Sequence, residues 1–191
     1  MSGRPGISVA AEDPETADAA LLLAELSDQL RLITGSSGQA SFDVNDVRGE
    51  RARFVVARDG DGQPVGCGAL RPLEHDVAEL KRMYSRRTAP GIGATVLAHL
   101  EAQARQLGYA ALRLETRAVN ARAVAFYERL GYVRIANFGK YVGRPEAMCF
   151  EKRLASVAWQ PVGLCESERK DRGGGPGVPF SVHEPRRGGR L

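Results

Sequence analysis

Apolar and polar positions follow two rhythms along this chain. A short apolar-polar alternation at Ile7 to Ala10 predicts a first strand. From Ala17 to Ile33 the apolar residues Leu22, Leu26, Leu30 and Ile33 recur at helical spacing, with Gly35 as a stop. Gly35 to Arg51 shows neither rhythm and is read as a loop. Two strand-like runs follow, Arg53 to Arg58 and Val65 to Leu70. They are joined by Asp59-Gly60-Asp61-Gly62, whose residues tolerate the left-handed conformations of a hairpin turn. Val77 to Tyr84 is a strand that runs into the glycine-containing turn Ser85 to Gly93. From Ala94, the residues Val96, Leu97, Leu100, Ala104 and Leu107 fall on one helical face, and Gly108 ends it. Tyr109 to Thr116 reads as a strand, and Asn120 to Leu130 as a helix capped by Asn120 and followed by Gly131. Strand, turn, helix, strand, helix is a βαβ-type unit with two parallel strands. Tyr132 to Asn137 and Ala147 to Arg153 close the pattern as strands, giving a mixed α/β fold.

Length and composition refine this plan. The chain has 191 residues, and a body of roughly 150 could bury about two thirds of its unfolded surface, so it needs neither metal nor disulfide to hold a core. Residues 1–6 are polar and expected to be flexible, 7–154 form the domain, and 155–191 form a tail. That tail, with Gly173-Gly174-Gly175, several prolines and few large apolar residues, cannot offset its ordering entropy and is expected to be disordered. Cys67, Cys149 and Cys165 show no CxxC or Cys/His ligand spacing, which argues against a disulfide framework or a metal site. No apolar run approaches the roughly 20 residues of a membrane span, and the N-terminus lacks a signal-peptide plan, so a cytoplasmic protein is expected. The net charge of +4 comes from basic residues interleaved with acids, which indicates no dedicated nucleic-acid surface.

Gly91-Ile92-Gly93 lies where a strand passes into a helix. Backbone N–H groups there can point at an anion that the helix dipole also favours, so the turn is a candidate pyrophosphate cradle. Glycines before a helix also serve as plain turn residues.

The ordered series ELKRMY, the Gly-Ile-Gly turn with AHLEAQARQLGY, LRLET, NARAVAFYERLGY and EKRL resembles the GCN5-related N-acetyltransferase (GNAT) superfamily. The resemblance spans roughly Phe54 to Leu154 and is strongest from Glu79 to Tyr132. It implies a twisted, mainly antiparallel sheet flanked by helices, whose central parallel strands splay to admit the pantetheine arm of coenzyme A. By the same resemblance, the backbone of Met83, Tyr84 and Ser85 pairs with that arm, while Gly91, Gly93 and Ala94 face the pyrophosphate. Asn120 matches a position that contacts the arm, a role compatible with capping its own helix. The turn departs from the family pattern. Thr88 stands where a basic residue is usual, Ala89 where glycine is frequent, and Pro90 removes an amide donor, with Arg86 or Arg87 as substitutes for the missing charge.

The implied activity is acetyl transfer from acetyl-CoA, as cosubstrate and without metal, directly to a primary amine on a small molecule or peptide. Such transfer needs a neutral amine, stabilisation of an oxyanion and a proton for the departing thiolate. No cysteine has a recognisable His/Asp partner, so direct transfer is favoured over an acyl-cysteine route. Tyr127 follows Asn120 by two helical turns on one face and matches the family tyrosine proposed as acid toward sulfur; the alternative is a core aromatic beside Phe126 and Leu130. Glu79, on the strand leading to the thioester, is the first candidate base; at about 3.3 Å per residue it lies some ~13 Å from Met83 and would need a water relay. Glu115 on the neighbouring strand is its rival, and His75 and His99 have no organised partners.

Two other classes fit the same residues. A catalytically silent acyl-CoA-binding regulatory domain would keep the strand, the glycines and Asn120 with an altered turn. A nucleic-acid accessory protein would rely on Arg186, Arg187 and Arg190 without interleaved aromatics. Acceptor choice falls to Ala17–Arg51 and to Asn137–Pro145, which includes Phe138-Gly139-Lys140-Tyr141. The pattern leaves a small amine, an amino acid, an antibiotic and a protein amine open as acceptors, and a family-type homodimer open as assembly.

Overall fold

The structure, a computed structural model, describes residues 6–39 and 42–155. The expected disordered tail lies outside them, as do residues 1–5. Strands β1 (Ser8–Ala11), β2 (Arg53–Arg58), β3 (Pro64–Pro72), β4 (Val77–Ser85), β5 (Ala111–Arg117), β6 (Val133–Ile135) and β7 (Ala147–Arg153) form a seven-stranded sheet of order β1-β2-β3-β4-β5-β7-β6. Every neighbouring pair is antiparallel except β4 and β5. The mixed, mainly antiparallel fold expected from the sequence is therefore what forms, with the parallel pair at its centre.

Three helices cover the sheet: α1 (Ala17–Thr34), α2 (Ile92–Gln106) and α3 (Ala121–Arg129). Ala19 and Leu22 of α1 pack with Phe54, Val56, Cys67 and Ala69 on one face. On the other face, Val96, Leu97 and Leu100 of α2 and Tyr127 of α3 join Val55, Leu80, Leu112, Leu114 and Phe150. Local boundaries follow from chemistry. Thr16 accepts a bond from the Ala19 amide and starts α1, and Gly35 ends it at φ 74°. Helix α2 begins at Ile92, two residues before the sequence reading, because Gly91 takes φ 88° as its cap and Ile92 is drawn into the core. The described residues of the expected loop 35–51 include a 3-10 turn, Val44–Val47, anchored by buried Val47, and β6 is shorter than expected.

Two irregularities shape the centre of the sheet. Pairing of β4 with β5 runs from Val77↔Ala111 only to Glu79↔Arg113. Beyond that point the two strands diverge. In addition, Cys67 faces Tyr84 and Ala69 faces Lys81, so β4 carries one extra residue opposite Gly68. Arg82, at φ 53°, sits in this bulge and is the non-glycine residue with positive φ among those described.

Candidate active site

The divergence of β4 and β5 opens a cavity of about 500 Å³, walled by the end of β4, by β5, by the second half of α1, by α3 and by the segment around Tyr141. Of the residues singled out in the sequence, Met83, Tyr84, Ser85, Gly93, Glu115, Asn120 and Tyr127 line it. Gly91 and Ala94 lie at the adjoining start of α2, outside the lining, and Glu79 is buried and is likewise not part of it.

The geometry fits a coenzyme A thioester. The facing edges of β4 and β5 beyond Glu79 and Arg113 are not paired with each other, which leaves backbone groups for an extended pantetheine arm. No side chain caps the first turn of α2, so its N–H groups are open to a phosphate. A side chain at Gly93 would crowd the cavity wall, since a Cβ there would stand 3.3 Å from Ser85 Oγ and 3.5 Å from the Phe126 ring. Of the two turn arginines, Arg86 is committed to Glu25 at 2.6 and 2.9 Å and to the Pro64 carbonyl at 2.7 Å. Arg87 lines the cavity instead, as does Arg122 of α3, a cation the sequence reading missed. Asn120 uses Oδ1 to cap α3, accepting from the Ala123 amide at 3.3 Å, and still reaches the cavity wall.

Tyr127 is 7% exposed and sits edge-on to Tyr132 and Phe126, with Phe150 beneath. Its hydroxyl has no hydrogen-bond partner among the described residues, and burial pushes its pKa well above the usual phenol range, making it a weaker acid. Glu79 is 1% exposed and fully occupied. Its carboxylate accepts from Arg71 Nε and Nη2 at 3.0 and 2.8 Å and from the Tyr141 hydroxyl at 3.0 Å, with Lys81 Nζ at 3.4 Å. Burial alone would raise its pKa, but Lys81 and Arg71 outweigh it and hold the carboxyl below its ordinary value. Lys81, whose Nζ donates to Tyr141 at 2.9 Å, is lowered by burial in spite of Glu79. The two directions agree, because Arg71 takes the better share of the Glu79 charge and leaves Lys81 under-compensated.

Glu115 differs. It faces the cavity, and burial raises its pKa although Lys81 and Arg117 act the other way. It pairs across the ladder with Cys149, which packs with Tyr141 on the α1 side of the sheet. Tyr127 packs with Leu114 and Phe150 on the opposite side. An ionisable carboxyl and an unpartnered phenol thus approach the gap from its two faces.

Comparison with known proteins decides the family. The model of the Acetyltransferase (GNAT) family matches residues 22–132. The chain belongs to this family. It is 33% identical over 153 residues to a protein of Azospirillum brasilense named IAA acetyltransferase, covering 78% of this chain and 99% of that one. An uncharacterised N-acetyltransferase of Bacillus subtilis, YsnE, is 30% identical over 118 residues, 60% of this chain and 78% of its own. The crystal structure of a protein from Klebsiella pneumoniae, described as a putative acyl-CoA N-acyltransferase, superposes with a TM-score of 0.67 at 30% identity, over 78% of this chain and 97% of that one. The GNAT protein is accordingly an N-acetyltransferase with acetyl-CoA as cosubstrate, which disfavours the catalytically silent reading. No described helix is long and apolar enough to cross a membrane.

Proposed function

We propose that this enzyme moves an acetyl group from acetyl-CoA directly to a primary amine, with Glu115 accepting the amine proton and Tyr127 supplying a proton to the departing sulfur. The observation that carries the reading is the placement of these two groups on opposite sides of the gap where β4 and β5 stop pairing. Bound acetyl-CoA supplies the thioester. Met83, Tyr84 and Ser85 hold its arm through the unpaired strand edge, and Gly91, Gly93, Ala94 and Arg87 receive its phosphates at the start of α2. Asn120 contributes its remaining amide group. Glu79, the first candidate base, serves better as a positioning residue, since a carboxylate already bonded to Arg71 and Tyr141 is a weak proton acceptor.

Proton transfer from Tyr127 exchanges a buried thiolate for a buried phenolate. At ordinary acidities this is uphill by roughly 1.5 units, about 2 kcal/mol. Burial penalises both anions, so the difference stays tolerable even though the phenol itself is weakened. The test is calorimetric titration with acetyl-CoA, followed by thiol release on a panel of amines. Tyr127→Phe is expected to bind acetyl-CoA as the parent does and to lower kcat by about 100- to 10,000-fold. An unchanged kcat sinks the acid assignment.

A further inference from the structure

We propose that the acceptor carries a carboxylate beside its amine, as an amino acid does, and that Arg82 binds this group. The proposal rests on the transferase reading above and names the class of its second substrate. Arg82 occupies the extra position of the β4 bulge and lines the cavity. Gly68 faces the bulge from β3, where a Cβ would stand 2.6 Å from Met83 Sδ and 2.8 Å from Leu100 Cδ1. The guanidinium lies on the α1 side, 5.1 Å from the centre of the Phe42 ring, and Nη1 donates to the Ser37 carbonyl at 3.2 Å. This is the side on which Glu115 and Tyr141 stand, and all three residues line the same cavity.

Two features mark this guanidinium as awaiting an anion. Its Nε is the one buried side-chain polar atom without a hydrogen-bond partner among the described residues. It also has no carboxylate within ion-pair distance there, whereas the half-buried Arg58, Arg71, Arg86 and Arg113 each meet at least one. Burial lowers its basicity, the cost of a shielded charge left uncompensated. A fork of Nε and Nη donors matches a carboxylate in two parallel bonds. Nearby charge agrees in sign: Lys81 is under-compensated, Arg144 has no ion pair among the described residues, and Glu146 is taken up by Arg117 at 3.3 Å. The cavity of about 500 Å³ must also take the acetylated arm, which favours a small acceptor.

The test compares each standard amino acid with its own carboxamide, both by calorimetric binding to the full chain in the presence of CoA and by thiol release with acetyl-CoA. The parent is expected to prefer at least one acid over its amide by about tenfold or more, as a charge-assisted pair would give. Arg82→Gln is expected to bring that ratio near one through KM, and Arg82→Lys to restore part of it, with thermal melting confirming the fold of each. Absence of a tenfold preference in the parent, or its survival in Arg82→Gln, overturns the proposal. Acids that bind selectively without thiol release would uphold Arg82 and refute the transferase reading; amides turned over as well as acids would do the reverse.

Discussion

Gly68→Ala tests whether the bulge and the cavity are one construction. The added Cβ would lie 2.6 Å from Met83 Sδ, 2.8 Å from Leu100 Cδ1 and 3.0 Å from Val96 Cγ1. Met83 can swing its sulfur aside, but only by entering the wall that it gives to the cavity. Leu100 and Val96 are fully buried on α2 and yield only if the helix rises from the sheet. Overpacking of this kind costs about 1–3 kcal/mol, and two of the three contacts sit on a packed helix, so the upper half of that range, about 2–3 kcal/mol, is expected. For a domain of this size the melting temperature falls by roughly 2–4 °C per kcal/mol, or about 4–12 °C in all. Affinity for acetyl-CoA should fall as well, because α2 and Met83 both border the site. Gly49→Ala is the control: a Cβ there meets nothing within 4 Å, and no more than about 0.5 kcal/mol is expected. The assay is urea unfolding and calorimetry on the three proteins. A Gly68→Ala protein within about 0.5 kcal/mol of the parent would refute the close packing of α2 on β3.

Two further outcomes follow from the buried carboxyls. Burial raises the pKa of Glu115, so the acid limb of kcat/KM should lie above the ordinary carboxyl value of 4.5; pH–rate profiles of the parent and Glu115→Gln check this, and persistence of that limb in the variant excludes Glu115 as the base. Glu79 has the opposite shift, its carboxyl held below 4.5 by Lys81 and Arg71 against the pull of burial. Its stabilising contribution is therefore complete above that value and lost as pH falls toward the folded one. Glu79→Gln should lower stability at neutral pH by about 3 kcal/mol, since it leaves Lys81 buried and unpaired, and should flatten the acid-side loss of stability; urea midpoints between about pH 7 and 3 decide it.

Residues whose role depends on local repetition were legible in advance. The helical spacing of Leu22 and Leu26 and of Val96, Leu97 and Leu100 identified the buried faces of α1 and α2. The parallel pair at the centre followed from strand, helix and strand in succession. What the pattern could not carry was the bulge. Strict alternation along β4 would put Leu80 and Met83 on opposite faces, yet both pack against α2, and Tyr84 packs with Cys67 on the other side. The distance estimate that made Glu79 a base acting through water assumed that uninterrupted strand. Its actual partners, Arg71 eight residues earlier and Tyr141 sixty-two later, are long-range contacts that no spacing rule joins. Arg82 was missed for the same reason. In the sequence it is one basic residue in a strand with Lys81 before it; only the positive φ and the glycine opposite carry it to the α1 side, where its guanidinium is shielded without a counter-charge. A bulge that re-aims one side chain costs backbone strain, and the return on that strain is a cation fixed beside the gap where the two central strands part.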